Sequence, residues 1–333
     1  MHRLFLAGLI AVSAIACRPA ADAPTMTPAA APATLAASAE PAPTPPAAST
    51  EPTRAPASGQ RSGGLPYELL GTEVHDVADP VSGRRYQIFV ALPPSYASNP
   101  ERRYPALYVT DADYGFPVLR QIARRLNGHG ARVEEFVLVG LSYAVGEDSM
   151  DSRRRDYTPT AKGAHDAPGA LHGQAAAYAD YVRDQVIPAV AARYRVDDER
   201  RIYVGHSYGG LLGMQILLTR PETFSGYLIG SPSLWYDQHV MFDFEARYAA
   251  AHPDLAASVY LYVGEYEDMK PGDPRFAKRH NMVRDARRMA RQLDARQYPS
   301  LDLKLDVLND EDHLSVAPRG FSKGLMHLLA APE

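Results

Sequence analysis

Ser207 sits in Gly205-His206-Ser207-Tyr208-Gly209-Gly210, a G-x-S-x-G arrangement. The β-branched and aromatic run Arg201–Val204 precedes it and the helix-forming stretch Leu211–Thr219 follows. A strand that turns sharply into a helix leaves the serine strained and crowded, and Gly205 and Gly209 supply the space it needs. Such a turn lifts the hydroxyl clear of the sheet. It also puts the Tyr208 N–H at a helix N-terminus, where partial positive charge favours an oxyanion. The chemistry that follows is attack of a hydroxyl on a carbonyl, provided a base takes the proton.

The elbow predicts a base downstream, with an acid between the two if the chain follows the serine, acid, histidine order, one of several that triads adopt. Leu301–Leu308 alternates as a strand does and runs into Asn309-Asp310-Glu311-Asp312-His313. His313 thus falls in a loop before a last helix, about Arg319–Leu329, where a base belongs. His280, on a charged stretch, and His165 and His172, in a long insertion, read as solvated residues. The apolar run Ser258–Gly264 ends at Glu265-Tyr266-Glu267-Asp268, so three carboxylates compete for the role of orienting acid.

Further motifs extend the pattern. Tyr104–Phe116 is similar to YPxLYxLDGDxxF, and Arg153–Pro159 to RRRDxTP; Ser231–Trp235, Gly264–Glu267 and Asp312-His313 also match. In order, from about residue 68 to 330, these make the chain resemble the putative-esterase family of α/β hydrolases, in its siderophore (trilactone) esterase-like branch. In hydrolases of this kind the acid lies three residues past the glycine that closes the strand, which selects Glu267, with Asp268 and Glu265 as alternatives. The resemblance implies a second oxyanion N–H at Asp113. The family's Asp-Gly pair is Asp111-Ala112 here, and an alanine forced to positive φ would be strained. It further implies a substrate-binding place for Trp235 near the pocket mouth, with a core tryptophan as the alternative. By their own chemistry the guanidinium groups of Arg153, Arg154 and Arg155 could hold an anionic or catecholate substrate or instead pair with nearby carboxylates.

The implied activity is hydrolysis of a small-molecule carboxylic ester by Ser207, His313 and Glu267 through an acyl-enzyme. The same residues would serve an acyltransferase. A non-catalytic, lipid-tethered binding protein on this scaffold would need neither Ser207 nor His313.

Strands and helices must alternate to position these residues. Strands are expected at about Leu70–Val77, Arg85–Leu92, Tyr104–Thr110, Glu135–Gly140, Arg201–Val204, Gly226–Ile229, Ser258–Val263 and Leu301–Leu308. Helices are expected near Pro117–Arg125, over Gln174–Tyr194 with a kink or break at Pro188, and over Pro274–Leu293. Near-continuous apolar runs suit a mostly parallel sheet covered by helices on both faces, an α/β-hydrolase fold. The charged, Gly- and Pro-rich stretch Ser142–Gly173 is expected to cap the site.

The N-terminus suggests where the protein works. Met1–Arg3 is basic, Leu4–Ile15 is apolar, and Ser13–Cys17 fits a lipobox, with the chain's one cysteine at the lipidation position. A run of this length is too short to span a bilayer comfortably. Residues 1–17 are therefore expected to be a lipoprotein signal, with a plain secretory signal as the alternative. Residues 18–64, rich in Ala, Pro, Thr and Ser, are expected to be a disordered tether with a reach on the order of 40 Å. Residues 65–333 are expected to form one catalytic domain, acting as a monomer. The anchor would place it in the bacterial cell envelope, with the outer membrane or periplasm favoured because Arg18, not aspartate, follows Cys17. Thirty-five basic against 39 acidic residues give a net charge of −4, which offers no electrostatic case for nucleic acid. Histidines are not spaced for a metal, and no P-loop or dinucleotide fingerprint occurs, so no cofactor is expected.

Overall fold

The computed structural model of the chain describes residues 60, 63–162, 169 and 171–331. The expected signal segment with Cys17, nearly all of the expected tether, and His165 lie outside the described residues.

Eight strands form one sheet: β1 Thr72–Ala78, β2 Arg85–Ala91, β3 Tyr104–Val109, β4 Val137–Ala144, β5 Val196–His206, β6 Gly226–Gly230, β7 Ala257–Gly264 and β8 Leu301–Leu308. Their order is β1-β2-β4-β3-β5-β6-β7-β8. The β1–β2 and β2–β4 pairs are antiparallel, and every pair from β4 to β8 is parallel. Purely parallel strands need both faces covered, and β3 and β6 are buried at every residue. The carboxyl ends of β3, β5, β6, β7 and β8 share one edge, the place where open α/β sheets put their ligands.

The strands send alternate side chains into two cores. Tyr108, Tyr203, Tyr227 and Leu261 pack on one face. That face is covered by α3 Ala175–Tyr181, α5 Tyr208–Leu217, α7 Met241–Ala251 and α8 Met282–Ala295. Leu107, Val204, Leu228 and Tyr262 pack on the other face, under α1 Ala112–Leu126 and α9 Val316–Leu328. Each large apolar side chain so buried contributes about 1.5–3 kcal/mol. The other helices among the described residues are α2 Ser149–Tyr157, α4 Ile187–Ala191 and the one-turn α6 Tyr236–His239.

Several elements depart from the expected limits, each for a local reason. α1 begins at Ala112, not near Pro117, which lies inside it; the N–H groups of Tyr114 and Gly115 already reach the Asp111 carbonyl at 3.0 and 2.8 Å. Positive φ falls on Asp111, at 52°, and not on Ala112, which is the first helical residue. The break anticipated at Pro188 is a π-helical turn, Val182–Val186, between α3 and α4, which accommodates the missing proline N–H. α8 starts at Met282 because Asn281 caps it, its side chain accepting from the Arg284 N–H at 2.8 Å; Pro271, Gly272 and Pro274 keep the preceding stretch in turns. Within the expected cap, α2 is a helix capped by Asp148 and packed against β4, α3 and α5.

Candidate active site

β5 ends at His206, and the chain reverses into α5 through Ser207, whose φ of 60° and ψ of −117° are available to few non-glycine residues. Holding Ser207 and Asp111 at positive φ costs on the order of 1–3 kcal/mol each. Neighbouring glycines make the turn possible. A Cβ at Gly205 would lie 2.3 Å from the Gly209 carbonyl oxygen, and one at Gly209 would lie 2.4 Å from Thr110 Oγ1. The Tyr203 hydroxyl donates to the Gly209 carbonyl at 2.6 Å, tying the strand to the helix it feeds. The Ser207 N–H donates to the Gly230 carbonyl at 2.9 Å, so β6 also braces the turn.

His313 lies in the loop between β8 and α9. Its Nε2 stands 3.0 Å from Ser207 Oγ and its Nδ1 2.6 Å from Glu267 Oε2. An ionised carboxylate only accepts, so Nδ1 carries the proton and Nε2 is left to accept from the serine hydroxyl. Glu267 closes the 3-10 turn Glu265–Glu267 beyond β7 and is 2% exposed. Its other oxygen accepts from the Ser231 hydroxyl at 2.5 Å and from the Gly264 N–H at 2.8 Å. The alternative acids are occupied elsewhere. Asp268 accepts from Asn281 Nδ2 at 2.6 Å and Glu265 from the Asp310 N–H at 3.0 Å. A Cβ at Gly264 would lie 2.5 Å from the Glu311 carbonyl oxygen, so the histidine loop crosses the end of β7 at backbone contact.

The Tyr208 N–H belongs to the first turn of α5 and the Asp113 N–H to the first turn of α1. Helix first turns present N–H groups with no acceptor inside the helix, and the helix dipoles add to their positive potential.

His206 has no sequence signal that marks a role, because the position between glycine and serine in the turn accepts many residues. In the fold its Nε2 donates to the His313 carbonyl at 2.9 Å and its ring lies 4.7 Å from the His313 ring. With Nε2 protonated, Nδ1 faces the Tyr262 hydroxyl at 3.4 Å as an acceptor. Burial, reinforced by His313 and Arg153, pushes the His206 imidazole down to about 3, so it stays neutral. Ser231, at φ 38°, likewise carried no pattern that would connect it with Glu267.

The three arginines of the Arg153–Pro159 motif have separate environments. Arg153 donates through Nε to Asp111 Oδ1 at 2.8 Å and through Nη2 to Asp111 Oδ2 at 3.2 Å and the His206 carbonyl at 3.3 Å. The Tyr143 hydroxyl donates to the same Asp111 Oδ1 at 2.8 Å. Burial and the Asp111 carboxylate together push the Tyr143 phenol well above its ordinary range. Burial alone would lower the Arg153 guanidinium, but Asp111 outweighs it. Arg154 pairs with Asp151 at 3.4 Å. Arg155, 3% exposed, makes two 2.8 Å bonds to buried Asp156 and also pairs with Glu147. Trp235 stacks on His280, ring centroids 3.9 Å apart and planes at 7°, and faces the Tyr208 ring at 6.2 Å.

The profile of the Putative esterase family matches residues 80–305. Among curated proteins, the ferri-bacillibactin esterase BesA of Bacillus subtilis is 26% identical over 276 residues, covering 79% of this chain and 91% of that one. The siderophore enterobactin esterase of Emericella nidulans is 29% identical over 271 residues, covering 73% and 89%. Among solved structures, the BES protein from Bacillus cereus superposes with a TM-score of 0.67 at 23% identity, covering 82% of this chain and 100% of that one. The siderophore hydrolase EstA from Aspergillus nidulans also gives 0.67 at 23% identity, covering 81% and 98%. The chain thus shares the fold of these two solved structures, an α/β-hydrolase type with a mostly parallel sheet.

Proposed function

This chain belongs to the Putative esterase family, and from that membership we propose a carboxylic ester hydrolase that works through an acyl-enzyme on Ser207. One observation carries the reading: a single imidazole bridges the serine hydroxyl at 3.0 Å and a buried carboxylate at 2.6 Å. Ser207 Oγ attacks the ester carbonyl as His313 Nε2 takes its proton. Glu267 keeps Nδ1 protonated, holds the ring in plane and stabilises the imidazolium that forms. The Tyr208 and Asp113 N–H groups receive the developing oxyanion, a contribution of about 3–4 kcal/mol where one such donor is removed. Collapse expels the alcohol, protonated by His313. Water, deprotonated by the same nitrogen, then releases the acid and frees Ser207.

The substrate class we propose is a siderophore-type ester, a trilactone by the resemblance of the motifs, with support from relatives named as a ferri-bacillibactin esterase and a siderophore enterobactin esterase. Half-buried Trp235, stacked on His280 and 6.2 Å from the ring of Tyr208, the residue after the nucleophile, is the aromatic group that would meet a flat aryl group here. Hydrolysis of p-nitrophenyl esters and of a catecholate trilactone, with Ser207→Ala alongside, tests the reading. Turnover lost in the variant supports it. Acyl transfer to an added alcohol in place of hydrolysis would redirect it to a transferase, and no reaction of folded protein with any ester would sink it.

We also propose lipid anchoring through Cys17, supported by Ser13–Cys17 and the basic and apolar stretches before it. Palmitate labelling of the full chain in cells, absent in Cys17→Ser, is the expected result. A labelled Cys17→Ser variant, or a wild type without label, would exclude it.

A further inference from the structure

We propose that Arg153 is a positioning residue for the oxyanion hole: one guanidinium ties Asp111 to His206 and so sets the separation between the Asp113 and Tyr208 N–H groups. The inference rests on the acyl-enzyme reading above.

The sheet register supplies the geometry. β3 and β5 are neighbours, with Val109 opposite Val204. Two residues on, Asp111 and His206 therefore stand at the same level, just where the two chains part. Asp111 turns left-handed at φ 52° into α1, and His206 leads into Ser207 at φ 60° and α5. The guanidinium sits in this fork. Its Nη2 is 3.2 Å from Asp111 Oδ2 and 3.3 Å from the His206 carbonyl oxygen, and its Nε is 2.8 Å from Asp111 Oδ1. Asp113 lies two residues beyond the first anchor and Tyr208 two residues beyond the second. Each oxyanion N–H thus lies two residues beyond an anchor on the same planar, fully charged group.

Other contacts stiffen the strut. Tyr143 donates to Asp111 at 2.8 Å, and the Asp111 N–H reaches the Tyr157 hydroxyl at 3.4 Å. The Arg153 guanidinium lies 5.2 Å from the Tyr208 ring centroid and 5.9 Å from that of Tyr157. Its side chain is 14% exposed and Asp111's is 17%. With its Nε and Nη2 edge turned to Asp111 and His206, Arg153 acts on the strand ends. The connection continues to the base, because His206 donates to the His313 carbonyl at 2.9 Å. An ammonium could match the charge but not the fork, since two N–H vectors at a fixed angle are what bridge a carboxylate and a carbonyl.

The test compares wild type with Arg153→Lys, Arg153→Met and Asp111→Asn. The readouts are kcat and KM on a p-nitrophenyl ester, affinity for an arylboronic acid, the rate at which a fluorophosphonate labels Ser207, and the thermal midpoint, all per folded molecule. A misplacement of about 1 Å at a reacting centre costs about a hundredfold. Arg153→Met should lose about that factor in kcat and labelling rate, with boronate affinity falling alongside and KM little changed. Arg153→Lys and Asp111→Asn should lie between it and wild type, and they carry the test where Arg153→Met does not fold. A raised KM at unchanged kcat would make Arg153 a substrate contact and overturn the proposal. So would a lower thermal midpoint with kcat and labelling rate unchanged, the mark of a merely structural residue. A wild type that neither turns over esters nor takes the fluorophosphonate would sink the acyl-enzyme reading itself; an active wild type matched by its variants would sink only the strut.

Discussion

Glu267 and His313, 46 residues apart, meet at 2.6 Å because β7 and β8 are parallel neighbours whose ends, Gly264 and Leu308, are in register. The carboxylate is buried, and its second oxygen is held by Ser231 and Gly264. It therefore cannot swing away from the imidazole without abandoning two donors.

Replacing Glu267 with glutamine should lower kcat by about 10⁴-fold, because an amide can donate to Nδ1 and so favour the tautomer with its proton on Nε2. Asp268→Asn and Glu265→Gln should stay near wild type, since their carboxylates serve Asn281 and Asp310. Steady-state kinetics on one p-nitrophenyl ester separates the three. A comparable loss in Asp268→Asn would move the role of acid to that residue.

The turn around Ser207 has no room for a methyl group. Gly205→Ala would push a Cβ to 2.3 Å from the Gly209 carbonyl oxygen, which is backbone and cannot rotate aside. Overpacking costs about 1–3 kcal/mol where side chains can yield, and more is expected here. Gly209→Ala meets the Thr110 hydroxyl, a side-chain atom, at 2.4 Å. Urea denaturation should therefore rank Gly205→Ala below Gly209→Ala, and the reverse order would mean that the elbow backbone yields more readily than the Thr110 side chain.

The contrast between these residues and Arg153 shows what a sequence can carry. Ser207, its glycines and the strand before it are contiguous, so local sterics alone mark the turn. His313 and the three carboxylates after Gly264 could be placed because alternating strands locate the ends of β7 and β8. Choosing among Glu265, Glu267 and Asp268 depends on where each side chain points, which Ser231, 36 residues away, decides. The pairing of Arg153 with Asp111 spans 42 residues and two loops, and no periodicity encodes it. Helix limits failed for a simpler reason. Pro117 and Pro274 read as starts, while the α1 turn closes on Asp111 and the Asn281 side chain caps α8.

Arg155 should behave unlike Arg153. It and Asp156 are each 3% exposed, and Asp156 also accepts from Tyr86 at 3.0 Å and Ser152 at 3.1 Å. Burial pushes the Asp156 carboxyl up, against the Arg155 guanidinium that favours its charged form. Arg155→Met leaves that carboxylate buried and unpaired, which should cost about 3–5 kcal/mol. In chemical denaturation the variant should unfold early, yet retain kcat and KM per titrated active site at a temperature where it is folded. A raised KM in the folded variant would instead restore Arg155 as a substrate contact.

His206 offers a test of the buried network by pH. Its folded-state pKa of about 3 lies below the ordinary 6.5, so the unfolded chain binds the proton first as pH falls. Stability from the neutral ring is complete above 6.5 and is lost as pH drops toward 3, at no more than about 1.4 kcal/mol per pH unit. His206→Phe removes this dependence along with the bond to the His313 carbonyl, worth about 1 kcal/mol. The variant should be less stable than wild type at pH 7 and should lose less on acidification, so that the two thermal midpoints converge between pH 6 and 4. Parallel curves over that range would mean that the wild-type imidazole titrates in the folded state as it does in the unfolded chain. Its hydrogen bond to the His313 carbonyl, which needs only one protonated nitrogen, would then be open to solvent.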